Sequence, residues 1–267
     1  MGQTPTSNTG TYIYCIARAQ PFKKGDWPFT TPGIGGRDKV RLVTYDDLAA
    51  VVSDAPRDDY AVTRENLLAH QRVIMQAMTR SDVLPVAFGT AADSDQQVQE
   101  QLLRGAADEL HRALEAVRGC IELELKVLWI EERLFADIMA ENDDIRALRD
   151  SLADQPPEAT QYERIQLGER VAAAIQRKSE AEAAALLDAL EPLAVETRVN
   201  ENQTDMMLLN AAFLVDKTQE QAFDAQVQAL GAAQAGRLIF QYVGPLPPYN
   251  FVAMRLYWEE EPLGSAV

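Results

Sequence analysis

Histidine and cysteine are the scarcest residues of this chain, and each shortage closes off a class of chemistry. Only His70 and His111 occur among 267 residues, too few for a conventional multi-histidine metal site. Cys15 and Cys120 do not stand at zinc-ligand spacing. They lie in the apolar, strand-like stretches YIYCIA and CIELELKVLWI, where a thiol behaves as a small buried hydrophobe. Positive charge is also short: 25 Lys and Arg against 41 Asp and Glu leave a net charge of −16. Nucleic acid and anionic headgroups need clustered cations, so neither is an expected partner. No apolar run is long enough to span a bilayer and no signal-peptide core is present, which points to the cytoplasm and to no lipid-membrane partner. GxSxG, HExxH, EF-hand and kinase-type motifs are all missing. "MGQTPT" formally fits an acylation pattern, but it reads as a polar tail.

What is present is ordinary globular material: 47% apolar and 25% charged residues, enough for real cores. The length exceeds one usual domain, so two are expected. Tyr12–Ala17 reads as a strand, followed by a Pro/Gly-rich loop over Gln20–Arg37 and short strands at Val40–Tyr45 and Leu48–Ser53. Thr63–Thr79 reads as a helix capped by Thr63, with Leu67, His70, Ile74 and Met78 on one face. Val83–Phe88 returns as a strand, ended by Gly89. A long helix from Ser94 to near Gly119 has an apolar stripe of Val98, Leu102, Ala106, Ala113 and Val117.

In the second half, Ile121, Leu123, Leu125, Val127 and Trp129 alternate with Glu122, Glu124 and Lys126, a strand with one buried face. Glu131–Leu152 and Glu158–Leu190 form a helical hairpin broken at DQPP. Strands follow at Val195–Val199 and Met206–Val215. A helix with a Thr218/Gln221 capping box runs to Leu230, and a closing strand spans Leu238–Val243. With the hairpin as one crossover, this half reads βαββαβ, the ferredoxin-like order. The first half reads as the same order with its first helix replaced by the loop. The expected fold is therefore α+β: two ferredoxin-like-related domains at 11–119 and 120–256, the second carrying the long hairpin, with tails at 1–10 and 257–267.

Few residues point to catalysis. His70 shares a face with Leu67 and Ile74 and reads as a core residue; His111 reads as a solvated helix flank. PGIGGRD (Pro32–Asp38) could cradle an anion on backbone amides, so a small-ligand or enzymatic module using Gly33–Gly36 is the competing reading. The loop lacks the Lys and Ser/Thr of a P-loop and precedes a strand. No nucleophile, base and orienting group come together, so no enzyme, metal or cofactor is expected. Two segments are candidate partner-binding or interdomain surfaces. One is the alanine-rich second hairpin arm, where Ala173 and Ala184 would let another helix approach closely, either the hairpin's own first arm or a helix of a partner. The other is GPLPPYNFV (Gly244–Val252). There the prolines favour a stiff extended arm carrying Pro247, Pro248, Tyr249 and Phe251, its rings packed on the protein itself, between the domains, or else docked on a partner.

Six stretches in order, YIYCIA, AHQRVIMQAM, VLPVAFGT, QLGERVAAAI, MMLLNAAFLVDK and GPLPPYNFV, resemble the gas vesicle protein GvpF/GvpL family, from about Tyr12 to Leu256. The last resembles a GPWPPYSF-type stretch, with Leu246 where an aromatic is common and Asn250 where serine is. The resemblance implies two domains, a modified ferredoxin-like one and an α/β one with helical additions. It also implies an accessory or minor structural role in gas vesicle assembly. The implied partners are the hydrophobic wall protein GvpA, kept from aggregating during nucleation, and other accessory gas vesicle proteins.

Overall fold

Strand β1 (Thr9–Arg18) is rich in the β-branched and aromatic residues that suit a pleated interior. The computed structural model, which describes residues 9–23, 29–34, 39–56 and 61–252, places it centrally in the first sheet. It pairs antiparallel with β3 (Leu48–Pro56) and with the short β4 (Val83–Pro85) and β5 (Ala91–Ala92). β2 (Arg41–Tyr45) adds outside β3, giving the order β2-β3-β1-β4. The β2–β3 turn is closed by Asp46 at φ 52°, a left-handed position that Asp tolerates.

A register shift between Ile13 and Cys15 bulges β1, so the strict alternation of side chains breaks once. Tyr12, Tyr14, Cys15 and Ala17 consequently share a core with Val73, Ile74 and Ala77 of α1 (Arg64–Met78). Ile13 and Ile16 face the opposite core, with Val98, Leu102, Leu103, Leu110 and Leu114. α1 is capped as expected, Thr63 accepting from the Asn66 amide.

The expected continuous helix from Ser94 is a correction. α2 (Asp95–Gln97) passes into a π-helix over Val98–Arg104, and α3 (Ala107–Ala116) follows after a break. The wider π turn brings Leu103 inward beside Leu102, and Leu110 and Leu114 are buried together with the expected Val98, Leu102 and Val117, while the expected Ala106 and Ala113 are only partly buried against the same core. The break occurs at Gly105, where a Cβ would stand 2.4 Å from the Gln101 carbonyl oxygen.

The second sheet is built from β6 (Cys120–Trp129), β7 (Glu196–Val199), β8 (Met207–Asp216) and β9 (Leu238–Leu246), in the order β7-β8-β6-β9. Numbered within its half, this is 4-1-3-2 read from β9, and the first sheet has the same order read from β4. The two antiparallel ferredoxin-like sheets and the inserted hairpin are as expected. β8 is buried from Met207 to Val215, as a central strand of continuous apolar sequence must be. α7 (Glu220–Ala233) has no Thr218 capping box: the Thr218 hydroxyl turns back to the Asp216 carboxylate at 2.6 Å, and Gln219 stands at the N-cap. The first hairpin arm is also two helices, α4 (Glu131–Glu141) and α5 (Asp143–Leu152), split at Asn142, whose extended backbone lets its side-chain amide bond the Ile138 carbonyl. The second arm, α6 (Gln161–Leu190), is unbroken over 30 residues, about 45 Å.

The compact units divide inside β6 and β9: residues up to Glu122 with those from Pro245 on, and Leu123–Gly244. The end of GPLPPYNFV thus groups with the first unit and not with the 120–256 assignment. Asn250 binds Glu122 there, and Val252 packs against the first unit's core. The proposed tails at 1–10 and 257–267 lie almost wholly outside the described residues, as do "MGQTPT" and Gly35 and Gly36.

Candidate interaction surfaces

The GPLPPYNFV segment is not the extended arm its prolines suggest. β9 continues through Pro245 to Leu246, and the chain then folds into a tight turn. The Tyr249 amide donates to the Pro247 carbonyl at 2.7 Å, and the amides of Phe251 and Val252 both donate to the Pro248 carbonyl. Proline restricts its own φ and the residue before it, but nothing in Tyr249–Val252 resists turning once the prolines have passed. Pro247 and Pro248 are buried, Phe251 is half-buried, and Tyr249 keeps 39% of its surface exposed. Burial of the Tyr249 hydroxyl pushes its pKa up, with Cys15, Tyr12 and Glu122 adding to the effect.

The turn is anchored by a pair that the sequence reading missed. Glu122, expected on the solvent face of β6, is fully buried. Its carboxylate accepts the Asn250 backbone amide at 2.8 Å and the Asn250 side-chain amide at 2.7 Å. A buried carboxylate persists only with such donors. The two residues are 128 positions apart, so no local pattern announces the pair. The one available signal was the asparagine standing where serine is common in the resembling stretch.

The hairpin presents the second candidate surface. Only Ala174, Leu186 and Leu190 of α6 are buried, whereas Ala173 and Ala184 are exposed. Tyr162 and Ile165, each two turns ahead of Glu169 and Ala172 respectively, are 68% and 53% exposed. Near its end α6 is tied down by charge. The Arg237 guanidinium donates to Asp137 of α4 at 2.9 Å and to Glu182 of α6 at 2.5 Å, and lies 5.3 Å over the Trp129 ring. Lys178 bridges Glu141 at 2.6 Å and Glu182 at 3.1 Å. Burial alone would lower the Lys178 pKa, but these two carboxylates hold it above its usual value. The anchored root and the sparsely buried remainder leave the outer side of α6 open.

His70 is a core residue. It is 3% exposed and both ring nitrogens are engaged, Nε2 with the Val86 carbonyl at 3.1 Å and Nδ1 with the Tyr12 hydroxyl at 3.0 Å. A carbonyl only accepts, so Nε2 carries the proton and Nδ1 accepts from Tyr12. Tyr12 in turn accepts the Gly89 amide at 3.0 Å. Burial lowers the His70 pKa to about 4, partly opposed by the Val86 bond. Beside it, Tyr14 joins the Ser53 hydroxyl at 2.9 Å and accepts the Ile34 amide at 2.7 Å. This packs the described end of the PGIGGRD loop into the core: a Cβ on Gly33 would meet Ser53 Oγ at 2.7 Å and Tyr14 Oη at 2.8 Å. The Ile34 amide is therefore already engaged and unavailable to an anion. His111 is less solvated than expected, its Nε2 lying 2.8 Å from Asp47. Partial burial would raise the Asp47 pKa, but His111 and Arg18 together hold it below the usual carboxylate value.

The comparisons with known proteins agree over most of the chain. The family model of gas vesicle synthesis protein GvpL/GvpF matches residues 10–253. Gas vesicle protein F of a Streptomyces species is 35% identical over 248 residues, covering 91% of this chain and 99% of that protein. Gas vesicle protein F of Dolichospermum flosaquae is 26% identical, covering 86% and 96%. Among solved structures, GvpF from Anabaena sp. superposes with a TM-score of 0.80 at 25% identity, covering 93% of this chain and all of that one. GvpF from Microcystis aeruginosa gives 0.74 at 25% identity, covering 92% and 99%.

Proposed function

Because the chain belongs to the gas vesicle GvpL/GvpF family, we propose that it binds the small hydrophobic wall protein GvpA. In this reading it keeps GvpA from aggregating until the subunit joins the growing vesicle. The protein acts as an accessory or minor structural component, in the cytoplasm and at the nascent vesicle, alongside other accessory gas vesicle proteins. A very apolar wall subunit exposes surface and strand edges that self-associate in water. A soluble partner that covers them needs an open, partly apolar face, and a strongly acidic body opposes co-aggregation.

The observation that carries the proposal is the outer side of α6, with Tyr162, Ile165, Ala173 and Ala184 exposed on a helix whose root is held by Arg237 and Lys178. Small residues allow a partner helix to approach closely, and the exposed Tyr162 supplies an aromatic anchor. The turn at Pro247–Phe251 is the second contact proposed, through the exposed part of Tyr249.

Co-purification from cells forming vesicles tests this. Tagged protein should retain the wall subunit, and Ala173→Glu combined with Ala184→Glu should release it without changing the melting temperature. Retention by the double variant at the parental level would remove α6 as the binding face. Absence of the wall subunit from the parental pull-down would remove the proposal itself.

A further inference from the structure

The outer face of α1 carries a different surface. Arg64, Leu68, Arg72, Met75 and Thr79 recur at steps of four, four, three and four, which stacks them on one side of a helix. The buried residues His70, Val73, Ile74 and Ala77 occupy the opposite side. Leu68, Gln71, Arg72, Met75, Gln76 and Thr79 line a largely apolar groove of about 430 Å³. Leu68 is 37% exposed on this face. Gln76, at its edge, is fixed by hydrogen bonds with the hydroxyls of Thr30 and Thr31 at 2.9 and 3.1 Å.

Charge distinguishes this groove from the rest of the molecule. The chain as a whole carries −16, yet α1 holds a single acidic residue, Glu65, against Arg64 and Arg72. Neither arginine makes an ion pair among the described residues. A half-exposed apolar strip flanked by uncommitted guanidinium groups complements one kind of ligand: an amphipathic helix with an apolar stripe bordered by carboxylates. We infer that the α1 groove docks such a helix from another protein, its apolar residues over Leu68 and Met75 and its carboxylates at Arg64 and Arg72. The inference is independent of α6 and of the wall-protein reading, since it rests on a different helix and on the local reversal of charge.

The test uses the full chain and two fluorescein-labelled helical peptides of about 18 residues, five turns. Both carry the same leucine stripe; one is flanked by glutamates and the other by lysines. Fluorescence anisotropy should show the glutamate peptide binding at least about tenfold more tightly, with the preference shrinking in about 1 M salt. Arg64→Glu with Arg72→Glu should reverse the preference. Met75→Glu and, separately, Leu68→Glu should weaken the glutamate peptide by about tenfold or more with unchanged circular dichroism melting. Equal binding of the two peptides, binding of neither, or indifference to the arginine and apolar substitutions would each overturn the proposal. So would concentration-dependent self-association in sedimentation that Met75→Glu abolishes, because a second copy would then be the occupant.

Discussion

Acidification should weaken the first unit through a single side chain. His70 holds its neutral form in the fold by giving its only N–H to Val86 and accepting from Tyr12, and its pKa falls from 6.5 to about 4. Between those values the unfolded chain binds a proton that the folded chain does not, so stability must fall as pH drops below about 6.5 and level off near 4. The full difference of about 2.5 pH units corresponds to roughly 3 kcal/mol. Near the isoelectric point of about 4.6 solubility is poor, so the practical range is from about pH 7.5 to 5.5, where about 1.3 kcal/mol should be lost. Urea unfolding followed at several pH values would measure this. His70→Gln, which can still donate and accept in the same place, should remove most of the dependence while lowering stability at neutral pH. Asp47, Asp95 and Asp216 contribute in the same direction only at more acidic pH, because their pKa values are held below the usual carboxylate value. Equal pH dependence of parent and His70→Gln would refute the reasoning, as would a His70 ring resonance that titrates near 6.5 in the folded protein.

Other substitutions test other parts of the structure. Gly105→Ala forces a methyl against the Gln101 carbonyl and should cost about 1 to 3 kcal/mol in thermal unfolding; a parental melting curve would mean the π segment relaxes freely. Asn250→Ala removes the side-chain donor to buried Glu122 and leaves the backbone amide in place; it should destabilise by about 1 to 3 kcal/mol, with Glu122→Gln plus Asn250→Ala recovering part of the loss. Failure of the double variant to recover anything would count against the carboxylate as the cause. Arg237→Met leaves Asp137 and Glu182 facing each other without their shared cation and should cost about 1 to 3 kcal/mol, with Arg237→Lys rescuing incompletely because the fork is lost. Full rescue by lysine in chemical denaturation would contradict that geometry.

The succession of strands and helices along each half was legible because it rests on local signals. The apolar run of Met207–Val215 marks a central strand, and the alternation around Leu123–Trp129 marks a paired one. Proline at Pro156 and Pro157 ends the hairpin's first arm. What escaped the sequence depends on residues far apart or on a change of helical pitch. The Ser94 stripe placed Val98, Leu102 and Val117 in the core, but the π segment also turns Leu103 inward, and Leu110 and Leu114 carry the burial that Ala106 and Ala113 share only in part. Glu122 looked solvent-facing by alternation because its partner, Asn250, arrives from the other end of the chain. The turn after Pro248 could not be read from proline stiffness, because proline constrains the residues at and before it and leaves Tyr249–Val252 free. Ala173 and Ala184 were chosen for small size alone; which alanines of α6 face its neighbours, Ala174 among them, is fixed by the helix's roll on the sheet.

The most direct measurement is light scattering by the purified wall subunit as it is diluted out of denaturant, with and without this protein. At an equimolar ratio scattering should be suppressed, and the Ala173→Glu, Ala184→Glu double variant should suppress it less while melting like the parent. Scattering that rises identically with and without the parental protein would contradict the proposed holding of the wall subunit in solution.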